Sequence, residues 1–180
     1  YGLVVAQGRR TVRRALPELL EDAENGLSFD FRQLLAELYD ELVALDSRVE
    51  QLTRRIEQQV KQHPDAQRLL QVPGIGPLTA SALITAVGDA SQFRNGRQLA
   101  AFLGLVPRQH SSGGKTRLLG IHKRGDSYLR GLLVHGVRSV LRTATDKPDD
   151  RSRWLMNVST RRHRNIATVA QANKTARIAW

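Results

Sequence analysis

From Phe31 onward, apolar residues recur at alternating intervals of four and three: Phe31, Leu35, Leu38, Leu42, Leu45, Val49, Leu52 and Ile56, with Gln59 next in the series. Arg, Glu and Gln fill much of the space between them. A repeat averaging 3.5 residues lays a narrow apolar seam along one side of a helix, the pattern of a coiled coil. It predicts one uninterrupted helix over residues 29–62, with a seam roughly 45 Å long at about 1.5 Å per residue. A hairpin against another helix of the same chain would cover such a seam. However, no second heptad segment occurs in the sequence. The seam therefore calls for a partner helix, and self-association into a homodimer or higher homo-oligomer is the favoured reading, ahead of a domain outside these residues.

The rest of the chain is also helical in pattern. Val12, Ala15, Leu16, Leu19 and Leu20 mark a short helix over 11–23 within an opening segment, 1–28, that reads as a linker. Asn25-Gly26 is suited to end that helix, because both residues tolerate a left-handed cap. His63-Pro64-Asp65 breaks the rod, and residues 64–180 form the expected C-terminal domain. Its first feature, LLQVPGIGPLTASALI over about 69–84, reads as a helix-hairpin-helix. Gly74 and Gly76 would let the turn approach a phosphate with bare N–H groups, and Pro77 sits where a missing N–H costs nothing. A tight helical turn without a ligand is the plainer alternative. A short helix over 97–103 follows, then a stretch in which helical periodicity disappears, with a possible strand pair around 118–121. Asp126 caps a helix carrying Leu129, Leu132, Leu133, Val137, Val140 and Leu141 on its apolar side. Helices near 150–160 and 165–180 complete an all-α fold: a long coiled-coil helix, then a compact helical domain.

Charge divides the chain unevenly. Residues 1–104 hold 12 Lys and Arg against 13 Asp and Glu, whereas residues 105–180 hold 16 against 4. A balance of +12 in the second part favours a polyanion through counterion release, with duplex nucleic acid ahead of a merely solubilising tail. Aromatic residues make up 5% and avoid the basic loop, so base stacking is not the expected mode. The absence of cysteine excludes disulfides and thiolate zinc sites. No apolar run approaches the roughly 18 residues of a membrane span; the lack of cysteine fits a cytosolic protein, and a cytoplasmic, nucleoid-associated location is the expectation. The chain opens at Tyr1 rather than Met, and Trp180 falls inside an apolar-periodic segment. Both ends read as cuts through a longer protein.

The serine loop, about 107–125, carries the candidate chemistry. Ser111 and Ser112 stand beside Gly113 and Gly114, among Arg108, Lys115, Arg117, Lys123, Arg124 and, just beyond, Arg130. His110 and His122 are candidate general acids or hydrogen-bond donors. A serine that attacks a phosphodiester needs an exposed hydroxyl, a backbone that admits the phosphate, and cations for the charge that develops. The same composition also suits a flexible loop that only clamps phosphate. Asp126, Asp146, Asp149 and Asp150 are the only carboxylates after residue 104, and no two-metal site can be assembled from them.

An ordered series of motifs, PGIGP, FRNGRQLAAFLGL, PRQHSSGGKTRLLGI and KRGDSYLR, resembles the C-terminal transposase domain of the insertion-sequence family numbered one hundred and ten. The likeness is strongest to its eleven-eleven branch, and Piv-type DNA invertases share the domain. The opening segment and heptads are similar to that branch's linker and coiled coil. The resemblance implies an RNA-guided recombinase whose N-terminal domain binds Mg²⁺ through four acidic residues. It also implies a coiled-coil dimer, DNA and a structured guide RNA as partners, and a nucleophilic serine that maps onto Ser112, with Ser111 the fallback. With the acidic domain outside these residues, no metal or other cofactor is expected here and the chain alone is expected to be inactive. The alternative is a non-catalytic helix-hairpin-helix module that binds nucleic acid.

Overall fold

A computed structural model describes residues 2–145 and 148–180. Asp146, one of the carboxylates considered above, lies outside them. The architecture is all-α apart from one β-hairpin, and the chain divides into two compact units at Arg54/Arg55.

In the first unit, α1 (Arg9–Glu21) is followed by α2 (Phe29–Gln62), which continues into the second unit. No residue of α1 is fully buried, and its half-buried Ala15, Leu16, Leu19 and Leu20 are supplemented by polar contacts. Arg32 supplies most of them. Its Nη1 donates to the carbonyls of Leu19 and Leu20 at 3.2 and 3.0 Å, and its Nη2 donates to the Asn25 carbonyl and side-chain oxygen. One guanidinium thus satisfies carbonyls left open at a helix C-terminus. Arg13 is also ion-paired with Asp46. The expected left-handed cap at Asn25-Gly26 is not used. The helix stops at Glu21, Asp22 is extended, and Gly26 has no positive φ. Arg32 caps from outside, and Asn25 caps through its side chain instead of a left-handed backbone, its Nδ2 donating to the Leu19 carbonyl at 2.6 Å.

Helix α2 covers the heptad segment without a break. Along the seam Leu38, Leu45, Val49 and Leu52 remain 52, 56, 60 and 43% exposed within the single chain. Ile56 and Val60 instead pack into the core of the second unit. For this reason the compact unit begins at Arg55, before the break at residue 63.

The second unit contains α3 (Pro64–Leu70), α4 (Pro77–Val87), a 3-10 turn at Ala90–Gln92, and α5 (Gly96–Phe102). Strands β1 (Pro107–Ser112) and β2 (Lys115–Ile121) follow, then α6 (Ser127–Thr143), α7 (Asp150–Arg161) and α8 (Arg164–Ala179). Asn95 caps α5 and Asp126 caps α6, each side chain accepting two backbone N–H groups. Leu129, Leu133 and Val137, spaced four apart on α6, are fully buried with Leu103, Leu105, Ala172 and Ala176. Stripping that apolar area from water contributes about 1.5–3 kcal/mol for each large side chain. A smaller cluster of Leu141, Ala144, Leu155 and Ala167 ties together α6, α7 and α8.

The turn between α3 and α4 is packed at Gly74 and Ile75 and open at Gly76. Gly74, at φ +92°, lies against the backbone of Gly136 on α6, and a methyl on Gly136 would overlap the Gly74 carbonyl. Ile75, beside it, is buried. Gly136→Ala should therefore cost about 1–3 kcal/mol through overpacking. Gly131→Ala, on the same helix with open space around it, should be neutral or stabilising by up to about 1 kcal/mol. Paired thermal melts read the contrast, and equal melting temperatures for the two variants would refute the close contact.

Candidate nucleophile and nucleic-acid site

The stretch read from sequence as an aperiodic loop is a β-hairpin. Strands β1 and β2 pair antiparallel, with His110 opposite Arg117, Ser111 opposite Thr116 and Ser112 opposite Lys115. Gly113 and Gly114 turn at φ +56° and +76°. Two successive positive φ angles make the type I′ connection that matches strand twist. Residues 107–118 are all exposed, so the hairpin projects with neither face covered.

Its root is firmly held. The His122 N–H donates to the Val106 carbonyl at 2.8 Å, and the Lys123 N–H to the Gly104 carbonyl at 3.1 Å. Asn173 of α8 donates to the Leu105 carbonyl at 3.1 Å. Gly125 lies against the Phe102 carbonyl so closely that no side chain fits there. Arg130 donates from Nη1 to the Leu103 carbonyl at 3.1 Å and is half-buried. Leu103 ends α5, so this guanidinium also serves a helix C-terminus.

Strand register separates the two serines. Side chains directly opposite each other share a face, and neighbours along a strand alternate. His110, Ser112, Lys115 and Arg117 therefore occupy one face, while Gln109, Ser111, Thr116 and Leu118 occupy the other. On the second face the Ser111 hydroxyl accepts a hydrogen bond from Gln109 Nε2 at 2.7 Å. Among the described residues the Ser112 hydroxyl has no hydrogen-bond partner, and it has a lysine directly opposite.

The other proposed site residues fall in three places. Arg108, Lys115 and Arg117 are exposed on the hairpin, and Lys123 and Arg124 are exposed at its root, Lys123 with φ +58°. Arg130 faces inward at that root. Gly74 and Gly76 sit apart from all of these, in the α3–α4 turn. The fold explains Gly74 through Gly136, whereas nothing lies within 4 Å of where a Gly76 side chain would begin. Sequence reasoning missed a groove of about 1140 Å³ at the hairpin base, lined by Leu119, Ile121, Ile166, Val169, Ile178 and Trp180, with Lys123, Lys174 and Arg177 also in its walls. Lys174 stands 4.5 Å from the ring centre of Trp154 in the same groove. Among the described residues, no three His, Asp or Glu side chains gather where one metal ion would be held.

The arrangement is that of a domain that presents a hydroxyl among cations on a projecting arm. Residues 66–154 match the Transposase IS116/IS110/IS902 family. The whole chain is 50% identical to a probable family 20 transposase of Pseudomonas aeruginosa, covering 54% of that protein. It is 44% identical to the transposase for insertion sequence element IS1111A of Coxiella burnetii, covering 50%, and 37% identical to that for IS1328 of Yersinia enterocolitica, covering 53%. Each match takes in 100% of this chain, which thus spans about half the length of these curated relatives. Among the described residues no helix is long and apolar enough to cross a membrane.

Proposed function

We propose that the complete protein is a DNA transposase in which this chain supplies the nucleophile, Ser112. The observation that carries this reading is the register of the hairpin, which sets Ser112 on one face with Lys115, Arg117 and His110 and leaves Ser111 bonded to Gln109 on the other. In the step envisaged, Ser112 Oγ attacks a DNA phosphorus. A new O–P bond forms, the hydroxyl proton leaves, and one P–O bond of the backbone breaks, its oxygen departing with a proton. Lys115 and Arg117 would neutralise charge growing on the phosphoryl oxygens. Arg108, Lys123 and Arg124 would bind flanking phosphates, while Arg130 would act by holding the hairpin root. A bare α3–α4 turn at Gly76 would add a backbone contact.

The complete protein would pair through α2 and use a structured guide RNA, as the sequence likeness implies. The likeness places Mg²⁺ on an acidic domain outside these residues, and among the described residues no three His, Asp or Glu side chains gather to hold it, so no step is routed through a metal. The test is to trap a covalent protein–DNA adduct with the full-length protein and map it by mass spectrometry. The adduct is expected on Ser112. A second reading, a binding module without chemistry, draws on the accessible turn at Gly76, and the absence of any adduct under conditions that support recombination would favour it.

A further inference from the structure

We propose that the α7–α8 corner, Arg161-Arg162-His163-Arg164, is a second phosphate-backbone site, distinct from the hairpin, that takes duplex nucleic acid. The inference rests on the reading of this chain as a DNA-processing domain. All four side chains are exposed. None is in an ion pair among the described residues. The carboxylates nearest in sequence are already engaged. Asp149 accepts from the Ser152 N–H at 3.0 Å and hydroxyl at 2.7 Å, contacts that hold its pKa below the usual carboxylate range, the hydroxyl contributing most. Asp150 is paired with Arg153.

The corner is also ordered towards solvent. Only two residues separate α7 from α8, and both helices are anchored beneath it by Leu155 and Ala167 in the small core. Arg161 gives only Nε to the Asn157 carbonyl, at 3.2 Å, so its two terminal nitrogens remain available. His163 Nδ1 accepts the Asn165 N–H at 3.2 Å. That contact places the proton of the neutral ring on Nε2, as a further donor. Three guanidinium groups within four residues repel one another, and among the described residues no ion pair offsets them. A polyanion does. An acidic protein partner fits less well, because such partners anchor through buried apolar or aromatic groups; residues 160–165 hold no aliphatic side chain and no Phe, Tyr or Trp, and the neighbouring Ile166 belongs to the wall of the groove at the hairpin base. With no Phe, Tyr or Trp in the run and the one imidazole engaged through Nδ1 as the α8 cap, single-strand stacking is disfavoured and duplex backbone is left.

The experiment is a fluorescence titration of the full chain with a random-sequence duplex between about 50 and 200 mM salt. Arg162→Ala/Arg164→Ala should lower the slope of log K against log salt by about 1.8, or about 0.9 per lost contact. Lys115→Ala/Arg117→Ala on the hairpin should lower it separately, and the two losses should add. Arg162→Lys/Arg164→Lys, which keeps the charge, should restore the slope. Should the alanine pair fail to fold by circular dichroism, Arg162→Gln/Arg164→Gln replaces it. An unchanged slope in the corner variant beside a reduced one in the hairpin variant overturns the second site. Unchanged slopes in both overturn the nucleic-acid reading itself. Loss of polyglutamate binding with duplex binding intact would make the corner a protein-docking surface and also overturn it.

Discussion

Ser112→Ala in the full-length protein should reduce strand cleavage by at least about 10³-fold while changing nucleic-acid affinity less than about twofold. Removing a hydroxyl takes away a nucleophile but no charge and little contact area. The electrostatic affinity carried by Lys115, Arg117 and their neighbours should therefore survive. Ser111→Ala is the internal control. Its hydroxyl accepts from Gln109 on the opposite face, so its loss should leave cleavage within about threefold of the unmodified protein. Arg117→Ala should behave differently from either serine variant, lowering affinity and rate together, because its charge acts before and during the step. Cleavage assays run beside binding titrations separate these outcomes. Loss of activity in Ser111→Ala with retention in Ser112→Ala would move the nucleophile by one position. Normal recombination in both would remove it from this hairpin.

The second large effect concerns assembly. The chain should form a dimer or higher oligomer through α2, and Leu42→Glu/Leu45→Glu should convert it to a 20.1 kDa monomer. Leu45 is 56% exposed within one chain, and Leu42 is half-buried. Replacing them therefore leaves the core of the second unit intact, and glutamate sustains a helix nearly as well as leucine. In a coiled coil the same positions are knobs enclosed by four residues of the partner, where an unpaired carboxylate costs several kcal/mol. Light scattering at tens of micromolar, a concentration on the order of that needed to populate a modest dimer, reads the mass directly. An unmodified chain that scatters as a monomer at that concentration would defeat the expectation.

What the sequence made legible depended on whether burial imposed a period. Helix α2 was readable because its apolar residues keep a 3.5 repeat from Phe31 to Ile56, and α6 because Asp126 precedes leucines at spacings of three and four. The hairpin was not readable by that route. Residues 107–118 are exposed on both faces, so no alternation of apolar and polar residues marks the strands. The signal available was the Gly113-Gly114 pair between two short runs, which specifies a two-residue turn. Once that turn is placed, register assigns Ser111 and Ser112 to opposite faces. Residues whose roles depend on distant partners were beyond local reading. Gly74 owes its conformation to Gly136, more than sixty residues later, and Arg130 faces inward because the Leu103 carbonyl needs a donor. The Arg32 cap is the same case on a smaller scale.

The hairpin's isolation has a price of its own. A sheet of only two strands has two open edges, each presenting unpaired backbone donors and acceptors to any passing strand, including the same hairpin on another copy. Arg108, Lys115 and Arg117 would meet their own counterparts in such an edge-to-edge pair, and Pro107 removes a donor where β1 begins. The cations that suit this ribbon to phosphate thus also keep it from adding to its own kind. Neutralising them would weaken both effects together, exchanging a ribbon that seeks polyanions for one prone to self-stacking.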